Sequence, residues 1–243
     1  MTMRSESIDY QADVPLTGTL ILPDKPGPVP GVLVLPDIFG YGDHVLERAE
    51  MVAGLGYAAF AADLHGEQRV LDPEPAMAEL ARFYAEPDRP RARGHAALKA
   101  LSDHPLVDGE RIAAIGFCYG GRLALEMARL GAPLAAVVGF HSSLFSSYPP
   151  AEGRIHAKIL ACIGSEDPGV PAEERSAFEA EMRDAGVDWQ LHLYGGVYHT
   201  FTNWRADSWG RPDFARYDAG ADRRSWAAMK ALLEETLGDD HSG

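Results

Sequence analysis

The chain has 243 residues, of which 46% are hydrophobic and 24% are charged, and its formal net charge at pH 7 is −14. This is an ordinary globular composition, and the chain is long enough for one large domain with a substantial core. The acidic charge argues against nucleic acid and anionic membranes as partners, because both require clustered Lys and Arg. No apolar run approaches the roughly 20 residues that span a bilayer, and no secretory segment follows Met1, so we expect a cytoplasmic protein.

Apolar runs alternate with amphipathic segments along the chain. A β-hairpin is predicted over about residues 5–22, followed by a loop rich in Pro and Gly. Further strands are predicted over 31–35, 57–62, 111–115, 134–140, 158–164 and 188–194. Helices are predicted over 43–55, 75–85, 92–102, 122–130, 172–185 and 219–237. The alternation predicts a single α/β domain over residues 1–243, with a mostly parallel central sheet and helices on both faces.

The turn after the predicted strand 111–115 has the form of a nucleophile elbow. Residues 116–121 read Gly-Phe-Cys-Tyr-Gly-Gly, between a buried strand and a helix. The glycines permit a sharp, strained turn that presents its central residue, here Cys118 where most such elbows carry serine. The backbone N–H of Tyr119, at the start of the helix, can bind a developing oxyanion. The alternative is that Cys118 is an inert buried thiol, as we expect for Cys162, the second of the two cysteines.

A cysteine nucleophile needs a base that takes or holds its proton and a third group that orients the base. In hydrolases with this elbow the chain order is nucleophile, acid, histidine. His199 follows the last predicted strand in a loop that contains glycines, and it satisfies this order. His141 also follows a strand but precedes every candidate acid, so we expect a pocket-lining or structural role for it. His65 is a candidate for the pocket wall, and we expect His44 to be solvated.

Two loops supply the remaining candidates. After the strand 158–164, Asp167 has a short side chain fixed before Pro168 and is a better orienter than the adjacent Glu166. The alternative is that both are ordinary turn carboxylates. After the strand 31–35, the N–H of Ile38 is the candidate second oxyanion donor. Its neighbour Asp37 is either a turn residue or an acid that faces the elbow.

Together these motifs resemble the dienelactone hydrolase family over nearly the whole chain. The matching segments are 36–40, 62–64, 116–121, 140–141, 164–168 and 199–203. The resemblance implies an α/β-hydrolase fold and a catalytic triad of Cys118, Asp167 and His199. It also implies that Ile38 and Tyr119 supply the amides of the oxyanion hole.

The chain departs from the family pattern at three positions. The family's usual residue at position 37 is a glutamate that engages the resting thiol, whereas Asp37 is one methylene shorter. The best-known members hold a substrate carboxylate with two arginines, and the corresponding residues here are Glu67 and Asn203. Arg69 and Arg205 lie nearby in the sequence and are candidates to replace them. Because the loss of bidentate arginines changes substrate preference rather than chemistry, we expect a preference for neutral esters or lactones.

We therefore expect a hydrolase that cleaves a small carboxylic ester or lactone through a thioester on Cys118. It needs no cofactor or metal ion, and we expect a monomer or a homodimer. The loop 204–213 is a candidate cap over the pocket, or else packs into the core. One alternative is a true dienelactone hydrolase, or carboxymethylenebutenolidase, acting on a carboxylate-bearing lactone. A second is a redox-sensing thiol protein, although no resolving cysteine lies near Cys118 in the sequence. A third is a binding module on an inactive hydrolase scaffold, which an intact triad argues against.

Overall fold

The computed structural model describes residues 3–146 and 154–238. The described chain begins with an antiparallel hairpin of β1 (Met3–Gln11) and β2 (Pro15–Pro23). The elements that follow in the first half are β3 (Val29–Leu35), α1 (Asp43–Gly54), β4 (Ala58–Ala61), α2 (Pro73–Ala85) and α3 (Asp88–Ser102). The second half contains β5 (Val107–Phe117), α4 (Tyr119–Arg129), β6 (Ala136–Phe140), β7 (Lys158–Gly164), α5 (Ala172–Asp184), β8 (Trp189–Tyr194), a 3-10 helix (Trp204–Trp209) and α6 (Ala219–Leu237).

The described strands form one eight-stranded sheet in the order β1-β2-β4-β3-β5-β6-β7-β8. From β4 to β8 in that order every neighbouring pair is parallel, and the hairpin joins β4 through an antiparallel pairing of β2. The central strands are apolar throughout because helices cover both of their faces. The parallel arrangement brings the carboxyl ends of β3, β4, β5, β6, β7 and β8 to one edge of the sheet, and this edge carries every candidate site residue.

Two hydrophobic layers enclose the sheet. Helices α2, α3, α4 and α5 pack on one face, where their buried side chains include Phe83, Leu98, Leu123 and Phe178. Helices α1 and α6 cover the other face. The single-domain α/β architecture with a mostly parallel sheet is therefore confirmed. Among the described residues, no helix combines the length and the apolar character needed to cross a membrane.

Candidate active site

Cys118 lies between the end of β5 and the start of α4, with a φ of 51° and a ψ of −115°. This conformation is rare for a residue with a side chain and stores strain in the turn. The close packing around it requires glycine on both sides. A Cβ on Gly116 would lie 2.3 Å from the carbonyl carbon of Gly120, and a Cβ on Gly120 would lie 2.2 Å from the carbonyl oxygen of Pro36. The N–H of Cys118 donates to the carbonyl of Phe140 at 2.9 Å, which ties the turn to β6.

His199 links Cys118 to Asp167 at the edge of the sheet. Its Nδ1 lies 2.7 Å from Oδ2 of Asp167, and its side chain is close enough to Cys118 for the thiol to raise the pKa of the imidazole. The other carboxylate oxygen of Asp167 accepts the N–H of Gly169 at 2.8 Å, so the acid is oriented in turn. Both partners of the ion pair are buried. With Nδ1 turned to Asp167, Nε2 is the nitrogen that faces the thiol.

The electrostatics of this chain of groups favour a charged histidine. Burial lowers the pKa of His199, but the neighbouring charges and hydrogen bonds of Cys118 and Asp167 outweigh burial and raise the pKa to about 10. His199 is therefore protonated at neutral pH. An imidazolium beside a cysteine favours the thiolate, which is the nucleophilic form of the side chain.

Two backbone N–H groups flank the elbow. Tyr119 is the first residue of α4, so its N–H has no carbonyl one turn earlier in the helix to bond. The N–H of Ile38, in the loop after β3, has no hydrogen-bond acceptor among the described residues. The contact of Gly120 with Pro36 brings the start of α4 against this loop. The loop that carries Ile38 therefore lies next to the turn at Cys118, and both N–H groups remain candidates for an oxyanion hole.

Asp37 is directed towards backbone groups of its own loop. Its Oδ1 accepts the N–H of Phe39 at 2.9 Å. Burial raises the pKa of Asp37 to about 6, even though the N–H groups of Phe39 and Gly40 and the positive charge of His199 lower it. Among the contacts of the described residues, no hydrogen bond joins Asp37 to Cys118. The described contacts connect Asp37 to its own loop by hydrogen bonds and to His199 through charge.

His141 lies behind the catalytic histidine and has no exposed surface. Its ring is 5.2 Å from that of His199, and its Nε2 is 2.8 Å from the hydroxyl of Thr202. Of the two roles expected for His141, the pocket-lining one is therefore wrong. His44 Nε2 is 3.4 Å from the same hydroxyl and His44 is also buried. The solvated role expected for His44 is wrong because α1 packs it against the core residue Phe117.

His65 packs against the loop after β3, which carries Ile38, rather than forming a pocket wall. The side chain is buried, stacks on Phe83 and places Nε2 2.9 Å from the carbonyl oxygen of Ile38. The carboxylate of Asp63 holds the preceding turn, because its Oδ1 accepts the N–H groups of His65 and Gly66, each at 2.9 Å. The loop after β4 thus fixes the loop after β3.

The two arginines proposed to replace the missing pair are both engaged by the protein. The guanidinium of Arg69 donates to the backbone carbonyls of its own loop. That of Arg205 lies 2.7 Å from Asp43 and stacks on the ring of Trp204 at 4.2 Å. Asn203 caps the 3-10 helix by accepting the N–H of Arg205 at 3.0 Å. Both guanidinium groups are thus engaged by the protein, although Nη1 of Arg205 is buried without a hydrogen-bond partner.

Sequence reasoning missed Arg122, which lies one helical turn after Cys118. The side chain is buried, and its guanidinium lies 4.6 Å from the ring centre of Tyr84. The signal was present in the sequence, since residues four apart on a helix share a face. Among the described residues, no group of three or more His, Cys, Asp or Glu side chains is arranged to hold a metal ion.

The parallel sheet, the strained turn after β5 and the order of the polar residues on the following strand ends make this chain an α/β-hydrolase. Its acidic, histidine and cysteine groups occupy loops at one sheet edge. More narrowly, the chain belongs to the dienelactone hydrolase family, whose model matches residues 16–237. Membership of this family places it among the hydrolases that act on esters or lactones.

Similar proteins cover most of the chain. The crystal structure of a dienelactone hydrolase-like promiscuous phosphotriesterase from metagenomic libraries is 42% identical, with a TM-score of 0.94, and covers 98% of this chain and 100% of its own. A Yersinia pestis protein named "Putative carboxymethylenebutenolidase" is 30% identical over 72% of this chain and 69% of its own length. A Bradyrhizobium protein named "Probable 2-oxo-3-(5-oxofuran-2-ylidene)propanoate lactonase" is 29% identical over 75% of this chain and 77% of its own length.

Proposed function

We propose that the chain hydrolyses small carboxylic esters or lactones by nucleophilic catalysis at Cys118. The observation that carries the proposal is the continuous chain from the strained Cys118 through His199 to Asp167. A buried acid that orients a histidine against an elbow nucleophile is the arrangement that acyl transfer requires.

In the first half-reaction the Cys118 thiolate attacks the carbonyl carbon of the substrate and forms a C–S bond. The carbonyl oxygen becomes an oxyanion, which accepts the N–H groups of Ile38 and Tyr119. When this intermediate collapses, the C–O bond to the alcohol breaks and His199 Nε2 gives its proton to the leaving oxygen. A thioester remains on Cys118, and in a lactone the freed alcohol stays attached to it.

In the second half-reaction neutral His199 removes a proton from water, which attacks the thioester carbonyl. The same two N–H groups stabilise the second oxyanion. Its collapse breaks the C–S bond, releases the carboxylic acid and restores the thiolate beside the imidazolium. Asp167 stays ionised throughout and keeps the Nδ1–H of His199 in place.

Two further substrate classes are supported by relatives. The 42% identical structure is named as a promiscuous phosphotriesterase, so phosphotriesters are a second candidate substrate class for the same nucleophile. The Bradyrhizobium relative is named as a lactonase for a propanoate, so carboxylate-bearing lactones, the substrates of a true dienelactone hydrolase, are a third. A carboxylate-bearing lactone would react at its carbonyl carbon as above. A phosphotriester would react at phosphorus: Cys118 would form an S–P bond as the P–O bond to the leaving group breaks, and water would then break the S–P bond.

The test is a panel of p-nitrophenyl esters, simple lactones and one p-nitrophenyl phosphotriester, assayed with Cys118→Ala and with Cys162→Ala as the matched control. Loss of a catalytic nucleophile costs about 10³-fold or more in kcat. We expect that loss in Cys118→Ala alone, because Cys162 is fully buried in β7. Rapid acid quench and mass spectrometry should find an acyl adduct on Cys118. Full hydrolytic activity in Cys118→Ala would refute the mechanism. No hydrolysis of any substrate of the panel by the wild type would favour the redox-sensing alternative.

A further inference from the structure

Arg122 differs from the other buried arginines of the described residues, because it forms no ion pair with any described carboxylate. The other four each lie within 3 Å of an acidic side chain, in the pairs Arg48–Asp222 at 2.9 Å, Arg91–Glu126 at 2.6 Å, Arg93–Asp13 at 2.6 Å and Arg129–Glu181 at 2.7 Å. A buried charge without a counter-charge is costly. Among its described residues this protein therefore keeps one buried guanidinium without a carboxylate at ion-pair distance, despite a net charge of −14.

The guanidinium of Arg122 is surrounded by two aromatic rings and by the hydroxyl of Tyr84, which also interacts with it as a hydrogen-bond partner. The guanidinium lies 4.6 Å from the ring centre of Tyr84 and 5.6 Å from that of Phe145. These rings are 48% and 55% exposed, so Arg122 lies just beneath a partly open aromatic rim. Rings stacked on a guanidinium cover its faces and leave N–H groups at its edge. The acidic residue one turn further along α4, Glu126, is already engaged by Arg91 at 2.6 Å.

The position of Arg122 is coupled to the nucleophile. Its backbone N–H donates to the carbonyl of Cys118 at 3.2 Å in the first turn of α4. Tyr84 lies within electrostatic reach of both residues: burial raises its pKa most, the guanidinium of Arg122 lowers it and the charge of Cys118 raises it further. Arg122 thus follows Cys118 by one helical turn, and Tyr84 lies close enough to both residues for their charges to shift its pKa.

We infer that Arg122 is a specificity-determining residue that binds an anionic oxygen group of the substrate, a carboxylate or a phosphate, while Cys118 attacks the ester carbonyl. The inference rests on the proposed function and names the substrate class of the same site. A guanidinium edge binds such groups through two parallel hydrogen bonds. The inference differs from the expectation of a preference for neutral substrates, which was based only on Glu67 and Asn203 at the two positions where the family has arginines.

The test compares wild type, Arg122→Met and Arg122→Lys on matched pairs of esters. One pair carries the anion on the leaving group (4-acetoxybenzoate against phenyl acetate). A second carries it on the acyl group (monophenyl adipate against phenyl hexanoate), and 4-acetoxyphenyl phosphate supplies the phosphate arm. The control is Arg82→Met, which removes the same charge from an exposed, ion-paired position on α2, with its partner Glu79 at 3.0 Å. Thermal unfolding checks that each variant is folded.

We expect Arg122→Met to lower kcat/KM for at least one anionic substrate by about 10- to 100-fold, the value of a charge-assisted hydrogen-bonded pair, and to change the neutral partner by less than about threefold. Arg122→Lys keeps the charge but loses the bidentate geometry, so it should lie between the two. If Arg122→Met does not fold, selective loss in Arg122→Lys carries the test. Equal losses on both members of every pair, or no loss on any anion, would overturn the inference. Retained activity on both members in Cys118→Ala would instead refute the proposed mechanism.

Discussion

The charge on Asp37 should destabilise the folded protein, and its removal should therefore stabilise it. Asp37 is buried at the end of β3, and its pKa rises from 3.8 to about 6 on folding, first because of burial. One pKa unit corresponds to about 1.4 kcal/mol, so ionisation of this carboxyl costs the folded state about 3 kcal/mol. The variant Asp37→Asn removes that cost with little change in shape.

The pH dependence follows from the direction of the shift. Below about pH 4 the carboxyl is protonated in both states, and the stabilising contribution of its raised pKa is fully present. Between about pH 4 and pH 6 the folded state binds more protons than the unfolded state, so stability falls as the pH rises. Above about pH 6 the contribution is lost. In the Asp37→Asn variant the side-chain amide oxygen still accepts the N–H of Phe39 but more weakly, which offsets about 1 kcal/mol.

Urea unfolding at pH 4 and pH 8 measures both parts of this balance. We expect Asp37→Asn to be about 2 kcal/mol more stable than wild type at pH 8, and no more stable than wild type at pH 4. Asp24→Asn, at an exposed loop position, is the control for the change in net charge. A gain at pH 8 no larger than that of Asp24→Asn would refute the reasoning. The stabilised variant should also have a lower kcat/KM, because the carboxylate of Asp37 supports the charge on His199.

Three further predictions concern the same site. Because the pKa of His199 is raised to about 10, kcat/KM should decrease above about that pH, where the histidine loses its proton. A profile of kcat/KM from pH 7 to pH 11 would detect this decrease, and a decrease that begins near pH 7 would contradict the charged histidine. His199→Asn should abolish turnover. His141→Asn should retain turnover and lower the melting temperature, since His141 is buried with its ring 5.2 Å from that of His199. Loss of turnover in His141→Asn alone would indicate that His141, not His199, is the base. Gly120→Ala should cost about 1–3 kcal/mol or more of stability through overpacking, because its Cβ would lie 2.2 Å from a carbonyl oxygen. The control Gly54→Ala places a Cβ where nothing lies within 4 Å and should not destabilise the protein. Equal urea midpoints for the two variants would argue against the clash at Gly120.

The order and type of the central helices and strands could be predicted because each has a marked pattern of apolar residues and ends at a residue that breaks the element. The predicted strand 158–164 and helix 219–237 have the bounds seen for β7 and α6. The predicted bounds were wrong where an element extends beyond the residues that the local sequence pattern indicated. Helix α3 begins at Asp88 rather than at 92, because Pro90 lies in its first turn, where a missing N–H costs nothing. Strand β5 begins at Val107 because pairing with β3 extends it past polar residues.

The meeting of Cys118, Asp167 and His199 at one sheet edge followed from chain order, since parallel strands fix where their ends lie. The roles of the buried histidines did not, because burial depends on contacts between elements distant in the sequence. His141 and His44 share Thr202, which lies 61 and 158 residues away from them respectively. Arg122 was overlooked for a related reason: a lone arginine on a helix is ordinary until the absence of a counter-charge is seen in three dimensions.

Backbone strain was also beyond the sequence patterns. Five described residues other than glycine have positive φ, and all of them lie in loops that follow strand ends of the site edge: Glu67, Gln68, Cys118, His141 and Thr200. A left-handed conformation is easily anticipated for glycine but not for these side chains. Their concentration at one edge indicates that the fold holds this edge in conformations that isolated segments would not adopt.

The loop that carries Ile38 is fastened before any substrate arrives. His65 holds its carbonyl, the Asp37 side chain holds the N–H of Phe39, and Gly40 closes a turn back onto Asp37 at 3.1 Å. These hydrogen bonds hold the peptide of Ile38 in one orientation in this structure. Water molecules would have to reorient around a new negative charge, at a cost in free energy. In the proposed reaction the N–H groups are already oriented by folding, so this cost does not add to the barrier. A substrate that fits poorly elsewhere in the site would still meet the same oriented dipoles in the proposed reaction.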